Sequence, residues 1–207
     1  MPPTGGASPT GGRVPSVIDS GCQAYRSYDD GYQYWTSTPS SGWATIVYDS
    51  ATVRHSGSIR SFIEVSNINN ESNNLIVGIL NTGAGPQLYM ETGGQFIAGS
   101  KVSVSKDSGY AVALYLDSST STSSTWHAEW WDFPYTFKSD PVTINYSDPP
   151  MDFWTHTETT NTTCNEVSSA FKSLSFPISS MQGKITDGSG KYKVTATSST
   201  SFTVTGP

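Results

Sequence analysis

The chain has 207 residues, enough for one large domain or two small ones and enough to bury a core without metal or disulfide staples. Only 14% of residues are charged, against about 25% in an average soluble protein, and 11 basic against 17 acidic residues give a net charge of −6, which speaks against an electrostatic nucleic-acid partner. Aromatics at 12% argue against disorder, and a mean hydropathy of −0.35 with no long apolar run argues against membrane insertion.

In chain order, residues 1–13 (MPPTGGASPTGGR) are almost wholly Pro, Gly, Thr, Ser and Ala and read as a flexible linker. No apolar stretch follows Met1, so no secretory leader is expected. Residues 14–207 read as a single β-domain. Short apolar or β-branched runs recur between turn residues: Trp43–Asp49, Ser58–Val65, Leu75–Leu80, Gln87–Glu91, Tyr110–Leu116, Trp126–Trp131, Val142–Tyr146, Lys191–Thr195 and Ser201–Thr205. Runs of this length and spacing predict an all-β, two-sheet sandwich or jelly-roll-like barrel, with at most one or two short helices.

Alternation within these runs assigns Ile46, Phe62, Val65, Ile76, Ile79, Val112, Leu114 and Val194 to the core. Asp117–Thr125 is a polar, serine-rich hairpin tip or loop, and Asp187-Gly188 supplies a tight turn. One helix is predicted over Asn165–Leu174, where Val167, Ala170, Phe171 and Leu174 follow an i, i+3, i+4, i+7 pattern.

The chemistry-bearing residues are sparse. The three histidines, His55, His127 and His156, lie apart, and no G-x-S-x-G elbow surrounds a serine, so a nucleophilic triad is not expected. No His or Cys spacing suits zinc, and Asp29-Asp30 and the Asp148 loop read as solvated turns, so neither metal nor cofactor is expected. Cys22 and Cys164 are either two isolated thiols or one disulfide, and the sequons at Asn70, Asn145 and Asn161 are close to chance in a chain where Ser and Thr number 59.

Glycoside hydrolysis needs two carboxyls about 5–9 Å apart. Glu129, set among indoles, could be one, with Asp132, Glu91 or Glu64 as its partner. Tyr28–Trp35 looks somewhat like part of the small jelly-roll xylanases, but no Glu-Tyr pair exists, and Gly31-Tyr32-Gln33 follows Asp30 where those enzymes carry a glutamate. The chain is therefore expected not to be an enzyme, and no catalytic residue is assigned.

Aromatic clusters are the strongest local signal. In strand geometry Trp126, Ala128 and Trp130 share one face while His127, Glu129 and Trp131 share the other. One face is core; the other suits protein contacts or stacking on sugar rings. Tyr25, Tyr28, Tyr32, Trp35, Trp126, Trp130 and Trp131 are accordingly the candidate binding residues, on loops spanning Tyr25–Trp35 and Trp126–Tyr135.

A Pro/Gly/Thr linker feeding an acidic, Ser/Thr-rich β-domain with many aromatics resembles the projecting domains (spike, protruding or readthrough type) of small non-enveloped RNA virus capsids. The resemblance implies a non-catalytic domain on the virion surface that forms homodimers and attaches to a host receptor protein, a glycan or a vector. A secreted, extracellular carbohydrate-binding module, or a small jelly-roll glycoside hydrolase, is the alternative.

Overall fold

A computed structural model describes residues 24–36, 40–53, 57–67, 70–105, 107–145, 151–162, 165–181, 183–185 and 192–206. Among them the chain forms β1 (Ala24–Thr36), β2 (Gly42–Thr52), β3 (Ile59–Asn67), β4 (Asn70–Asn81), β5 (Pro86–Thr92), β6 (Gln95–Phe96), β7 (Val102–Ser103) and β8 (Gly109–Ser119). There follow β9 (Ser123–Asp132), β10 (Tyr135–Lys138), β11 (Val142–Asn145), β12 (Met151–Thr162), β13 (Glu166–Lys172), β14 (Gly183–Ile185), β15 (Lys193–Ser198) and β16 (Ser201–Gly206). A three-residue 3-10 turn, Ile178–Ser180, is the one helical piece among the described residues. The all-β, two-sheet expectation holds.

The first sheet runs β14-β1-β12-β3-β4-β5-β6, with β7 also on β5; the second runs β10-β9-β8-β2-β13-β16-β15, with β11 also on β9. Their ladders are antiparallel throughout. The chain passes repeatedly from one sheet to the other, so neighbours in a sheet are often distant in sequence.

Because strand side chains alternate faces, each strand gives every second residue to the space between the sheets. From the first sheet come Ile59, Ile63, Val65, Val77, Ile79, Leu88 and Met90; from the second, Ile46, Tyr48, Val112, Leu114, Trp126, Trp130, Phe171 and Phe202, all buried in one cluster. Phe171 and Phe202 stack at 4.7 Å, and Tyr32 meets Phe202 edge-on at 4.9 Å. Polar bonds also join the sheets: Ser61 Oγ lies 2.8 Å from Ser169 Oγ, and Asn81 Nδ2 donates to Tyr48 Oη at 3.0 Å. Burial, partly offset by the Asn81 bond, pushes the Tyr48 phenol up to about 12.

All eight residues assigned to the core are buried, but Phe62 and Ile76 belong to a second cluster with Leu80 and Tyr89, on the outer face of the first sheet. The hairpin tip at Asp117–Thr125 also appears, closed by a Thr120 N–H bond to the Ser123 carbonyl at 2.8 Å. The predicted helix does not. Glu166–Lys172 is β13, laddered to β2 and β16. Val167 and Phe171 are four apart, a spacing that fits period 2 as well as period 3.6. The left-handed Ser173 (φ 52°) then turns the chain, so Leu174 is buried beyond the strand rather than on a helix face.

The 1–13 linker, both cysteines, His55, Asp148 and the Asp187-Gly188 turn lie outside the described residues.

Candidate functional site

Charge is buried on the outer face of the first sheet. Residues 59–67 are buried or half-buried throughout, so the alternation that sends Ile59, Ser61, Ile63 and Val65 inward puts Arg60, Phe62 and Glu64 on the opposite face without leaving them in open water. The ladders bring the next strands into line: Arg60 opposes Glu158 of β12, Glu64 opposes Ile76 of β4, and Ile76 opposes Glu91 of β5. Gly78 sits between Phe62 and Tyr89 in the neighbouring row.

Arg60 is the hub. Its Nη2 donates to Glu158 Oε2, its Nη1 donates to Glu91 Oε2 at 3.3 Å, and its guanidinium lies 5.4 Å from the Phe62 ring centroid. Burial opposes its charge, yet Tyr89, Glu158 and Glu91 outweigh burial and hold it above the ordinary arginine value. Glu64 accepts from Asn74 Nδ2 at 2.8 Å. Burial raises the Glu91 carboxyl above the ordinary glutamate value; Arg60 pulls it back, and the charges of Glu158 and Glu64 push it up again. Burial likewise raises the Tyr89 phenol, with Arg60 opposing. Arg60 Nε and Tyr89 Oη are buried with no hydrogen-bond partner among the described residues. Each such group costs about 1–3 kcal/mol. A half-buried cation paired with two carboxyls, beside unspent donors, sacrifices stability, a pattern common at functional sites.

Such a cluster offers a carboxyl that keeps its proton to higher pH than usual, beside a fixed cation and an apolar floor of Phe62, Ile76, Leu80 and Tyr89. Those are the parts of general acid–base hydrolysis. No group of three or more potential metal ligands occurs among the described residues.

The aromatic candidates fare differently. Tyr25–Trp35 is strand β1 rather than a loop, and Trp126–Tyr135 is mostly strand β9, followed by the Phe133-Pro134 turn into β10. Tyr32, Trp126 and Trp130 are core side chains, so none of the three presents a contact surface. The expected division of β9 holds: Trp126, Ala128 and Trp130 face inward, and Trp131 lies outside, edge-on to Tyr115 at 6.4 Å. Tyr25, Tyr28 and Trp35 lie on β1, with side chains outside the described set. Glu129 does not meet Glu64 or Glu91, which stand on the other sheet; its neighbours are His127 at 3.2 Å and Lys138 at 3.8 Å.

Arg60, Tyr89 and Glu158 were not singled out from the sequence. The available signal was Arg60 and Glu64 in one register of an otherwise apolar run, the mark of charge on a buried strand.

No protein-family model matches the sequence, and no curated protein matches it. The fold is nonetheless known: it is shared with glutamic peptidases of solved structure. These neighbours include Scytalido-glutamic peptidase, solved with a peptide-based transition-state analogue, and SCP-B, a member of the eqolisin family of peptidases, solved with the tripeptide Ala-Ile-His. Each superposes with a TM-score of 0.63 at 12% identity, over 88% of this chain and 100% of the neighbour. This likeness overturns two expectations from sequence, that the chain is a non-catalytic capsid projection and that it is not an enzyme. Composition misled because an acidic, Ser/Thr- and aromatic-rich texture marks a β-sandwich without marking what its faces do.

Proposed function

We propose that the chain is a carboxyl-dependent hydrolase acting on peptide bonds, with Glu91 as its proton-transferring group. The observation that carries this reading is the Arg60 hub between Glu91 and Glu158, on a fold shared with peptidases. Ionised Glu91 takes a proton from the attacking water and returns it to the leaving amine. Arg60 supplies fixed positive charge near the oxyanion, in a setting that dilutes it less than water does. Glu158 positions Arg60 by accepting from Nη2, and the buried Phe62, Ile76 and Leu80 cluster backs the charged groups.

The test is cleavage of acid-denatured casein by the full chain across pH 2–8, read by new amino termini. Loss of a general base costs about 10²–10⁴-fold, so Glu91→Gln should abolish detectable turnover while its circular dichroism stays native. The acid limb of the wild-type profile should lie above the range of an ordinary glutamate, because burial raises Glu91. Wild-type cleavage in a folded Glu91→Gln variant would refute the assignment.

A further inference from the structure

The second sheet carries an independent feature on its outer face. The ladders set Trp43 of β2 opposite Ala113 of β8 and Ala113 opposite Glu129 of β9; one row on, Thr45 opposes Ala111 and Ala111 opposes Trp131. At these two rows the middle strand offers only methyl groups, while both flanking strands carry indoles; one row further along β8, Tyr115 closes the end. The result is a trough of about 320 Å³ along β8, lined by Trp43, Thr45, Ala111, Ala113, Tyr115 and Trp131. The strands that carry its walls stand two ladder spacings apart, about 9–10 Å, and the two indoles are offset diagonally by one row.

The backbone beneath the Trp43 wall is pinned: the Trp43 main-chain N–H donates to Ser175 Oγ at 3.0 Å, and the Ser175 N–H donates back to the Trp43 carbonyl at 3.0 Å. Tyr115 stacks on His127 at 5.2 Å, and His127 is gripped by Asp117 at 2.7 Å and Glu129 at 3.2 Å. Trp43 is nonetheless 49% exposed. A large ring on a pinned backbone and open to water loses less freedom on binding than one on a loose loop.

Charge decides what it binds. The polar groups at the rim already engage one another: Glu129 meets His127 and Lys138, and Asp117 meets His127. The rim therefore offers engaged hydrogen-bond acceptors and donors rather than a free ion, which suits a hydroxyl-rich ligand better than an ionic one. Indole walls with an alanine floor suit flat rings whose faces are apolar and whose edges are polar.

We propose that this trough binds a neutral oligosaccharide, with Trp43 and Trp131 against pyranose faces and Glu129 accepting hydroxyl hydrogen bonds. The site lies on the opposite sheet from Arg60 and Glu91 and does not depend on the hydrolase reading.

The test is tryptophan-fluorescence titration of the full chain with cellohexaose, xylohexaose and N-acetylchitohexaose. At least one should give a saturable change. Losing a central aromatic anchor should weaken it about tenfold or more, in Trp43→Ala and Trp131→Ala alike. Phe133→Ala, at a 98% exposed ring outside the trough, should leave it unchanged. Ala111→Phe, which fills the floor while keeping both indoles, should also block it. No saturable change with any of the three sugars up to about 10 mM, where a millimolar site is filled, would overturn the proposal. So would undiminished binding in both folded tryptophan variants. Self-association of the wild type that Trp43→Ala abolishes in sedimentation would assign the trough to a second copy of the chain instead.

Discussion

Arg60 holds together a set of charges that would otherwise repel. Removing one partner of a buried ion pair costs about 3–5 kcal/mol, because the remaining charge stays desolvated. Arg60→Met should therefore unfold at markedly lower denaturant than wild type at pH 7. At low pH the deficit should shrink, since Glu91, whose carboxyl burial raises, is then protonated; an equal deficit at pH 3.5 and pH 7 would contradict the geometry. Glu91 gives the complementary prediction. Its folded pKa is raised, so the folded state binds its proton more tightly than the unfolded chain. Its contribution is fully present below the unfolded value and is lost as pH rises through the folded one. Glu91→Gln, a mimic of the protonated form, should show a flatter fall in stability over that window. At this scale the sequence was half legible. Glu64 and Glu91 stand out as carboxyls in strand runs, but which charges they meet depends on ladders joining residues up to 98 positions apart, as Arg60 and Glu158 are.

Among the elements, β4 has the tightest requirement. A Cβ built on Gly78 would lie 2.3 Å from the Ser61 carbonyl oxygen and 2.5 Å from Phe62 Cβ. Both obstacles belong to backbone or near-backbone atoms of β3, so the strands must part to admit a methyl group. Gly78→Ala should cost about 1–3 kcal/mol, typical of overpacking, seen as a lower urea midpoint with an unchanged slope. A midpoint equal to wild type would show that β3 and β4 are looser than drawn. Strands with apolar alternation, such as β3, β8 and β9, were readable from the sequence for the reason that makes them stable. β12 was not: MDFWTHTETTNT carries threonine at its inward positions, and Thr155 and Thr157 are buried there as polar residues. Thr157 is satisfied by Ser61 at 3.0 Å, a partner that no local pattern announces.

For the whole molecule, the two sheets differ in what they do with their outer faces, and stability measurements can separate core rings from surface rings. Trp126 is fully buried and donates from Nε1 to Ser124 Oγ at 2.6 Å. Trp126→Ala should cost about 3–5 kcal/mol, whereas Trp43→Ala, at an exposed ring, should melt within a few degrees of wild type. Similar losses in both would mean that Trp43 supports the core. The sandwich class was legible because turn residues and short β-branched runs constrain every strand locally. The pairing order was not, because the chain switches sheets between β1, β2 and β3 and again around β12, β13 and β14. The sheet borders carry one last consequence. The first sheet ends in strands of three and two residues, β14 and β6, too short to template another chain, while the second ends in the four-residue β10 and the six-residue β15. Unpaired border groups are where β-proteins zip into aggregates. Lys193 is the one charged residue on β15, so at high concentration Lys193–Ser198 is where copies of this chain should first adhere, and a second lysine at Thr195 is the natural way to keep it in solution.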